Sequence, residues 1–304
     1  MRKQVKIWLE AVRLRTLPVS VSGVLIALAI ASWEHNFRLM PAVLCMTFAL
    51  LCQIVSNFAN EYYDFKKGTD KKGRAGFRRG VTEGDIKPAT MKRVMLATLA
   101  LACLVGLSML LWVAPGEGYR NWLMLLGVGV ACAIFALAYS TGPYPLSYHA
   151  LGEVAVFGFY GLVPVVFTHY VVTGGFSPFA VMASIAIGLM GVNVLLVNNY
   201  RDVNDDIEAG KRTSVVVFGR KAASLAYLMN GFLAISFLGA MWLRLYFIMP
   251  LWALLAPVVY LVLHLKTWAT LRHSDGAALN PILGATARNM LIFTLLLTLP
   301  LTLQ

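Results

Sequence analysis

Nine apolar runs, each close to the length a helix needs to cross a bilayer, constrain this chain more than any other feature. A spanning helix takes about 20 mostly apolar residues, because the hydrocarbon is about 30 Å thick and offers backbone polar groups no partner. Such runs lie near 16–33, 40–59, 91–114, 121–139, 150–172, 178–199, 222–242, 247–266 and 287–303. The predicted fold class is therefore all-α: a polytopic membrane bundle of nine transmembrane helices in a single domain, 1–304. Composition agrees. Of 304 residues, 59% are hydrophobic and 13% are Asp, Glu, Lys or Arg, against roughly 25% charged residues in soluble proteins. That excludes an ordinary soluble enzyme, a disordered chain and a secreted disulfide scaffold. Cys45, Cys52, Cys103 and Cys132 all fall inside apolar runs without Cys-x-x-Cys spacing, and read as small apolar packing residues.

The net charge of +12 does not point to nucleic acid, because the basic residues stand at the ends of the apolar runs. With nine spans, the N-terminus, the gaps near 60–90, 140–149 and 200–221 and the segment 267–286 share one side. Of the 26 Lys and Arg, only Arg38, Arg120 and Arg244 fall on the other. The positive-inside rule makes the basic side cytoplasmic. The expected location is a bacterial-type inner membrane, with the N-terminus and polar loops inside and the C-terminus outside. The opening Met-Arg-Lys-Gln-Val-Lys resembles a signal-peptide n-region, but the apolar run after it is span-length and lacks a small-x-small cleavage site. It reads as a retained first helix. Residues 1–15 are expected to form an interfacial amphipathic segment, with Ile7, Trp8 and Val12 facing lipid.

Half of the 14 acidic residues lie in two short stretches, Asn57 to Asp70 and Asn198 to Thr213. Each begins at the cytoplasmic end of a span, and each contains Asn-x-Tyr-x-Asp: Asn60/Tyr62/Asp64 and Asn198/Tyr200/Asp202. Positions i and i+4 share a helix face. Asn198, Asp202 and Asp206 therefore form one stripe, and Asn60 and Asp64 another. Like charges at this spacing repel, and ionisable groups near a membrane are costly and usually functional. One reading is a pair of solvated helix ends with acidic caps. The other is a clamp in which Mg²⁺, a hard cation that binds through one or two carboxylates plus substrate phosphates, sits between the stripes and a diphosphate. Two clusters with one pattern on one side favour the clamp. The segment 60–90 also carries Lys71, Lys72, Gly73, Arg74, Gly76, Arg78, Arg79, Gly80, Gly84 and Lys87. It reads as a positive-inside loop or as a phosphate-gripping lid, since Arg and Lys pair with phosphate and Gly lets backbone N–H groups approach. Lys211, Arg212 and Thr213 in 200–221 raise the same pair of readings.

Asn60-x-x-x-Asp64 and Asn198-x-x-x-Asp202-x-x-x-Asp206, on two helices of a nine-span bundle, resemble the UbiA superfamily of intramembrane prenyltransferases. The resemblance is nearer to the branch that prenylates 1,4-dihydroxy-2-naphthoate in menaquinone synthesis. It is carried by Arg13-Leu-Arg15-Thr-Leu-Pro18, by Asn60 to Asp70, by Gly76-Phe-Arg78-Arg79 through Gly84, by Tyr139-Ser-Thr-Gly142-Pro143-Tyr144-Pro145 through Tyr148 to Glu153, by Asn199-x-Arg201-Asp202 through Gly210-Lys211-x-Thr213, and by Leu279-Asn280-Pro281. A Tyr-Pro-x-x-Lys-Arg element usual in the 4-hydroxybenzoate branch is absent. Three positions depart from the pattern: Glu61 for Asp, Gly68 in the place of a third carboxylate, which Asp70 is expected to fill, and Thr82 where Gln is common.

The resemblance implies a bundle with a central cavity and two substrates, a polyprenyl diphosphate and a naphthoate acceptor. Asp64 and Asp70 would hold one Mg²⁺, Asp202 and Asp206 the other. Asn60 and Asn198 would orient metal or phosphate, and Arg78, Arg79 and Lys211 would hold diphosphate oxygens. Tyr139, Tyr144 and Tyr148 are candidates to face the allylic cation or, alternatively, members of an interfacial aromatic belt. Asp64, Asp202, Tyr139 and Arg79 carry the chemistry in this reading. Arg13 or Arg15 would meet the acceptor carboxylate or simply anchor the helix. His149 is a candidate base or a structural side chain. Another acceptor within the superfamily, such as 4-hydroxybenzoate, homogentisate or haem, remains open. A cation transporter is disfavoured because the acids cluster at one face while transport sites lie near the midplane.

Overall fold

The computed structural model describes residues 2–73, 75–112, 118–244 and 250–303. Arg74 of the basic segment, the last two residues of the expected span 91–114 and the first three of 247–266 lie outside them. The elements are α1 (Arg2–Val12), α2 (Leu17–Trp33), α3 (Leu39–Lys66), α4 (Pro88–Met109), α5 (Gly118–Ala138), α6 (Gly152–Val156), a π-helical stretch (Phe157–Phe167), α7 (Thr168–Thr173), α8 (Pro178–Glu208), α9 (Ser214–Arg244), α10 (Leu255–Leu271) and α11 (Asn280–Thr302). Among the described residues, nine helical stretches are long and apolar enough to cross a membrane, and α6, the π-helical stretch and α7 together make one of them. Pro18, Pro88, Pro178 and Pro281 stand in the first turns of α2, α4, α8 and α11, where a missing N–H costs nothing.

Several helices outrun their apolar cores. The second span, expected at 40–59, continues to Lys66, and the sixth, expected at 178–199, continues to Glu208. The ninth starts at Gly276 rather than 287. At 1.5 Å per residue, α3 with 28 residues and α8 with 31 are about 42 and 46 Å long, well beyond a 30 Å hydrocarbon layer. The surplus turns carry the two acidic motifs as ordered helix.

The first span corrects one expectation. Residues 1–15 do not lie with Ile7, Trp8 and Val12 toward lipid. Arg13 takes a left-handed conformation (φ 56°) that breaks α1 from α2. The turn folds α1 onto α3, burying Ile7 with Val55, Phe58, Val81 and Ile86, and Trp8 meets Phe58 edge-on at 5.9 Å. The apolar face of α1 thus finds protein; Val5 and Leu9 are the exposed apolar residues.

The largest buried cluster runs through α2, α8, α9, α10 and α11. Small residues set its closest crossing. A Cβ on Gly161 of the π-helical stretch would lie 2.4 Å from the Gly188 Cα of α8, so the two backbones touch, as membrane helices do where both present glycine. Pro164 rests on Gly23 of α2, where an added Cβ would be 3.0 Å from its ring. At the end opposite the acidic motifs, the Glu34 carboxylate meets His169 Nε2 and accepts from Ser177 Oγ, each at 2.7 Å. Arg38 donates there to the Val171 and Val172 carbonyls at 2.8 and 2.6 Å.

Candidate active site

Both acidic helices end in the same device. Gly68 (φ 70°) follows Asp64 by four residues, and Gly210 (φ 69°) follows Asp206 by four. The left-handed glycine turns the chain back on the helix end. The Asp70 amide returns to the Asp64 carbonyl at 3.4 Å, and the Lys211 amide to the Asp206 carbonyl at 2.8 Å. Gly68 holds its place for this turn, which is why no carboxylate stands there.

The two turns face each other across an open cavity of about 980 Å³. Asn60 and Asp64 line one wall, Asn198, Asp202 and Asp206 the other, and Arg79, Tyr139 and Lys211 stand among them. Lys211 spans the gap: its Nζ lies 3.2 Å from Asp64 Oδ2. The same oxygen accepts from Asn60 Nδ2 at 3.2 Å, and Oδ1 accepts from the Tyr148 hydroxyl at 3.2 Å. Burial, with Asp64 adding to it, holds the Tyr148 phenol above its ordinary range, so it stays protonated and donates. Lys67 and Lys211 place their ammonium groups 4.3 and 5.0 Å from the Tyr148 ring centre. Burial lowers the Lys67 pKa; Asp64 opposes the shift and the Lys211 charge adds to it. On the other wall, Asp202 is gripped by Arg201 at 2.7 Å through both oxygens, and Asp206 accepts from Thr213 at 3.4 Å.

Asn60 is a node for cations. Its Oδ1 accepts from Arg13 Nη2 at 2.6 Å and from Arg79 Nη2 at 2.9 Å. The two guanidiniums thus meet on one neutral oxygen at the cavity wall. Arg13 lines the cavity; Arg15 does not, and instead lies 3.2 Å over the Phe77 ring.

Four of the expected site residues sit elsewhere. Arg78 does not line the cavity: it pairs with Asp85 and approaches Glu10 at 3.9 Å, because its neighbour Arg79 takes the inward position. Asp70 stands behind Arg79, 3.5 Å from its Nε, with 3% of its side chain exposed. It does not line the cavity. Tyr144 is exposed and stacks on His149 at 3.5 Å. The His149 Nδ1 meets the Pro145 carbonyl at 2.9 Å, so His149 holds the loop and is no base in the cavity. Glu61 faces the lid, accepting from the Val81 amide at 3.0 Å.

A polar ladder on α3 extends the first wall inward. Gln53 accepts from Ser20 at 2.8 Å and donates to Asn57 at 3.2 Å, and Asn57 donates to the Val12 carbonyl at 2.8 Å. Gln53, Asn57 and Ser56 were not singled out from the sequence. The signal was there, since Gln53 and Asn57 share the i, i+4 period with each other and lie on the helix that carries Asn60 and Asp64. Gln53 and Tyr160 also border a second, apolar pocket of about 920 Å³ with Phe48, Phe135, Phe159 and Phe167.

The donors converging on the polar cavity are carboxylate and amide oxygens, with no imidazole or thiolate among its lining residues, a set suited to a hard cation. Among the described residues, no three His, Cys, Asp or Glu side chains gather closely enough to cage a metal alone. A hard cation here would share its coordination with substrate phosphate oxygens, the habit of Mg²⁺.

Residues 20–297 match the UbiA prenyltransferase family. The chain belongs to that family. Among UbiA relatives, it is 33% identical over 294 residues to the 1,4-dihydroxy-2-naphthoate octaprenyltransferase of Escherichia coli, covering 96% of this chain and 94% of that one. It is 32% identical to the Mycobacterium tuberculosis enzyme of the same name, covering 95% and 94%. The fold matches that of a UbiA homolog from Archaeoglobus fulgidus bound to GPP and Mg²⁺, with a TM-score of 0.63 at 16% identity over 98% of this chain and 100% of that one. The UbiA bundle thus holds at low identity, while naphthoate-type relatives keep a third of the residues.

Proposed function

We propose that this chain moves a polyprenyl group from a polyprenyl diphosphate to 1,4-dihydroxy-2-naphthoate, with loss of diphosphate and CO₂, giving demethylmenaquinol. The whole of 1–304 acts as one membrane domain, with the acidic motifs at the cytoplasmic face of a bacterial-type inner membrane. The observation that carries this reading is the meeting of the Asn60/Asp64 and Asn198/Asp202/Asp206 walls around Lys211 and Arg79, next to an apolar pocket. The full-length likeness to two naphthoate octaprenyltransferases supports naphthoate as the acceptor.

Asp64, Asp202 and Asp206 would hold Mg²⁺, whose chemistry here is Lewis-acid neutralisation of the departing diphosphate. Lys211 and Arg79 bind diphosphate oxygens by charge-assisted hydrogen bonds, and Asn60 and Asn198 orient them. Asp70 keeps Arg79 turned inward. This fixed positive wall meets charge that grows on the leaving group as the allylic carbon–oxygen bond breaks. Tyr139 lines the cavity, and its ring faces the allylic cation. The ring carbon bearing the carboxylate attacks that cation. Expulsion of CO₂ returns its bonding pair to the ring and restores aromaticity, so no base is required to take a ring proton. Lid residues around Arg79 keep water from the cation.

Arg13 faces the acceptor carboxylate, since it lines the cavity and Arg15 does not. Arg13→Gln is expected to raise the KM for naphthoate by about tenfold or more, the scale of one charged hydrogen bond. The KM for the prenyl diphosphate should change far less. Steady-state kinetics with each substrate varied in turn reads the difference.

Purified protein in detergent, given Mg²⁺ and a long-chain prenyl diphosphate, tests the whole reading. Prenylated naphthoate should form, vanish with EDTA and return with added Mg²⁺, while 4-hydroxybenzoate offered in competition stays unreacted. Product from 4-hydroxybenzoate alone would overturn the acceptor and leave the family chemistry standing.

A further inference from the structure

Arg201 is a buried charged side chain with several polar partners. Its side chain is 2% exposed, and a buried guanidinium is costly unless its N–H groups find acceptors. Nε and Nη2 grip the two oxygens of Asp202 at 2.7 Å each, and Nη2 also donates to Asn198 Oδ1 at 2.9 Å. Both residues line the second wall of the cavity. Nη1 turns the other way and donates to Asn280 Oδ1 at 3.0 Å, and Asn280 Nδ2 donates on to the Ala75 carbonyl at 3.1 Å. The Phe77 ring, two residues further along the lid, lies 5.1 Å from Arg201 Cζ and also carries Arg15. One guanidinium therefore touches the carboxylate wall directly and the lid through two independent contacts.

We propose that Arg201 is a positioning residue that couples docking of the lid, residues 75–77, to the orientation of Asn198 and Asp202. This rests on the reading of Asp202 as a group that holds Mg²⁺, and adds to it that lid and wall form one two-state element. With the lid docked, Asn280 and Phe77 hold the guanidinium, and the guanidinium fixes Asp202 through both oxygens. With the lid released, the fork loses its anchor and the wall loses its order. Only the planar fork of arginine can make all four bonds at once; a lysine keeps the charge and loses the geometry.

The test compares Arg201→Lys, Asn280→Ala and the double variant. Outer partners of metal-holding groups are worth about 10–100-fold in metal affinity. Arg201→Lys should therefore raise the Mg²⁺ concentration for half-maximal turnover by about tenfold or more, with the naphthoate KM within about twofold. Asn280→Ala should shift it the same way by less. The double variant should be no worse than Arg201→Lys alone, as expected of residues acting through one another. In metal-free protein, backbone amide exchange over 75–82 should quicken in both single variants and nowhere else. A merely structural role would instead give additive losses and faster exchange throughout α8 and α11. If Arg201→Lys does not accumulate, Phe77→Leu and Asn280→Ala carry the test, and both must quicken exchange over 75–82 and raise the Mg²⁺ requirement. Wild-type Mg²⁺ dependence together with wild-type exchange would overturn the coupling. Wild-type protein that fails to prenylate naphthoate would overturn the proposed function, while the exchange measurement would still judge the coupling.

Discussion

Asp64→Asn should lower turnover by on the order of 10²–10³-fold, the scale seen when one preorganised electrostatic contact to a developing charge is removed. Asp64 is 2% exposed and meets Lys211, Asn60 and Tyr148 together. Asparagine keeps the shape but drops the charge, and its one acceptor oxygen cannot serve both Tyr148 and the Lys211–Asn60 pair. The cation-holding wall is then reduced to its α8 side, and Lys211 loses the partner that aims it across the cavity. Folding should survive. Lys211 is 14% exposed and keeps the face of Tyr148, so the unpaired ammonium remains partly hydrated. Turnover and thermal unfolding measured on one preparation separate the two effects. Turnover within twofold of wild type would remove Asp64 from the chemistry.

Gly161→Ala should be strongly destabilising. Its Cβ would meet Gly188 Cα at 2.4 Å, Gly188 N at 2.8 Å and Ser184 O at 2.8 Å. All three are backbone atoms of α8, so no side chain can swing aside and the helices must part. Overpacking costs about 1–3 kcal/mol, and a backbone-on-backbone clash belongs at the upper end. Because Tyr160 borders both cavities, parting the helices should also lower activity at temperatures where the protein is still folded. Gly158→Ala is the control: it lies on the same stretch, with nothing within 4 Å of an added Cβ. Thermal unfolding of the two variants in one detergent should show a large drop for Gly161→Ala and little change for Gly158→Ala. Equal melting points would refute the tight crossing.

The spans were legible because hydrocarbon imposes a length, and that length survives in the sequence whatever the helices pack against. Their ends were less legible. Hydropathy falls at Asn60 and Asn198, while the helices run on to Lys66 and Glu208, since polar residues continue a helix as well as apolar ones once outside the lipid. The i, i+4 stripes correctly paired Asn60 with Asp64 and Asn198 with Asp202 and Asp206, because that period is a property of one helix. Spacing could not show what loop residues do. Arg78 and Arg79 are adjacent, and only the turn that directs Arg79 to Asn60 and Arg78 to Asp85 tells them apart. Nor could it show that Asp70 serves Arg79, or that α1 packs on α3 through a left-handed Arg13. Those facts depend on contacts between elements far apart in the chain, which no periodicity records.

The most direct measurement is release of CO₂ and diphosphate from one reaction mixture, using carboxyl-labelled 1,4-dihydroxy-2-naphthoate, a long-chain prenyl diphosphate, Mg²⁺ and the purified wild-type protein. The account predicts labelled CO₂ and diphosphate in equal amounts, both matching the prenylated product and both abolished by EDTA. Diphosphate and a prenylated product that still carries the label would contradict attack at the carboxylate-bearing carbon, and with it the assigned reaction.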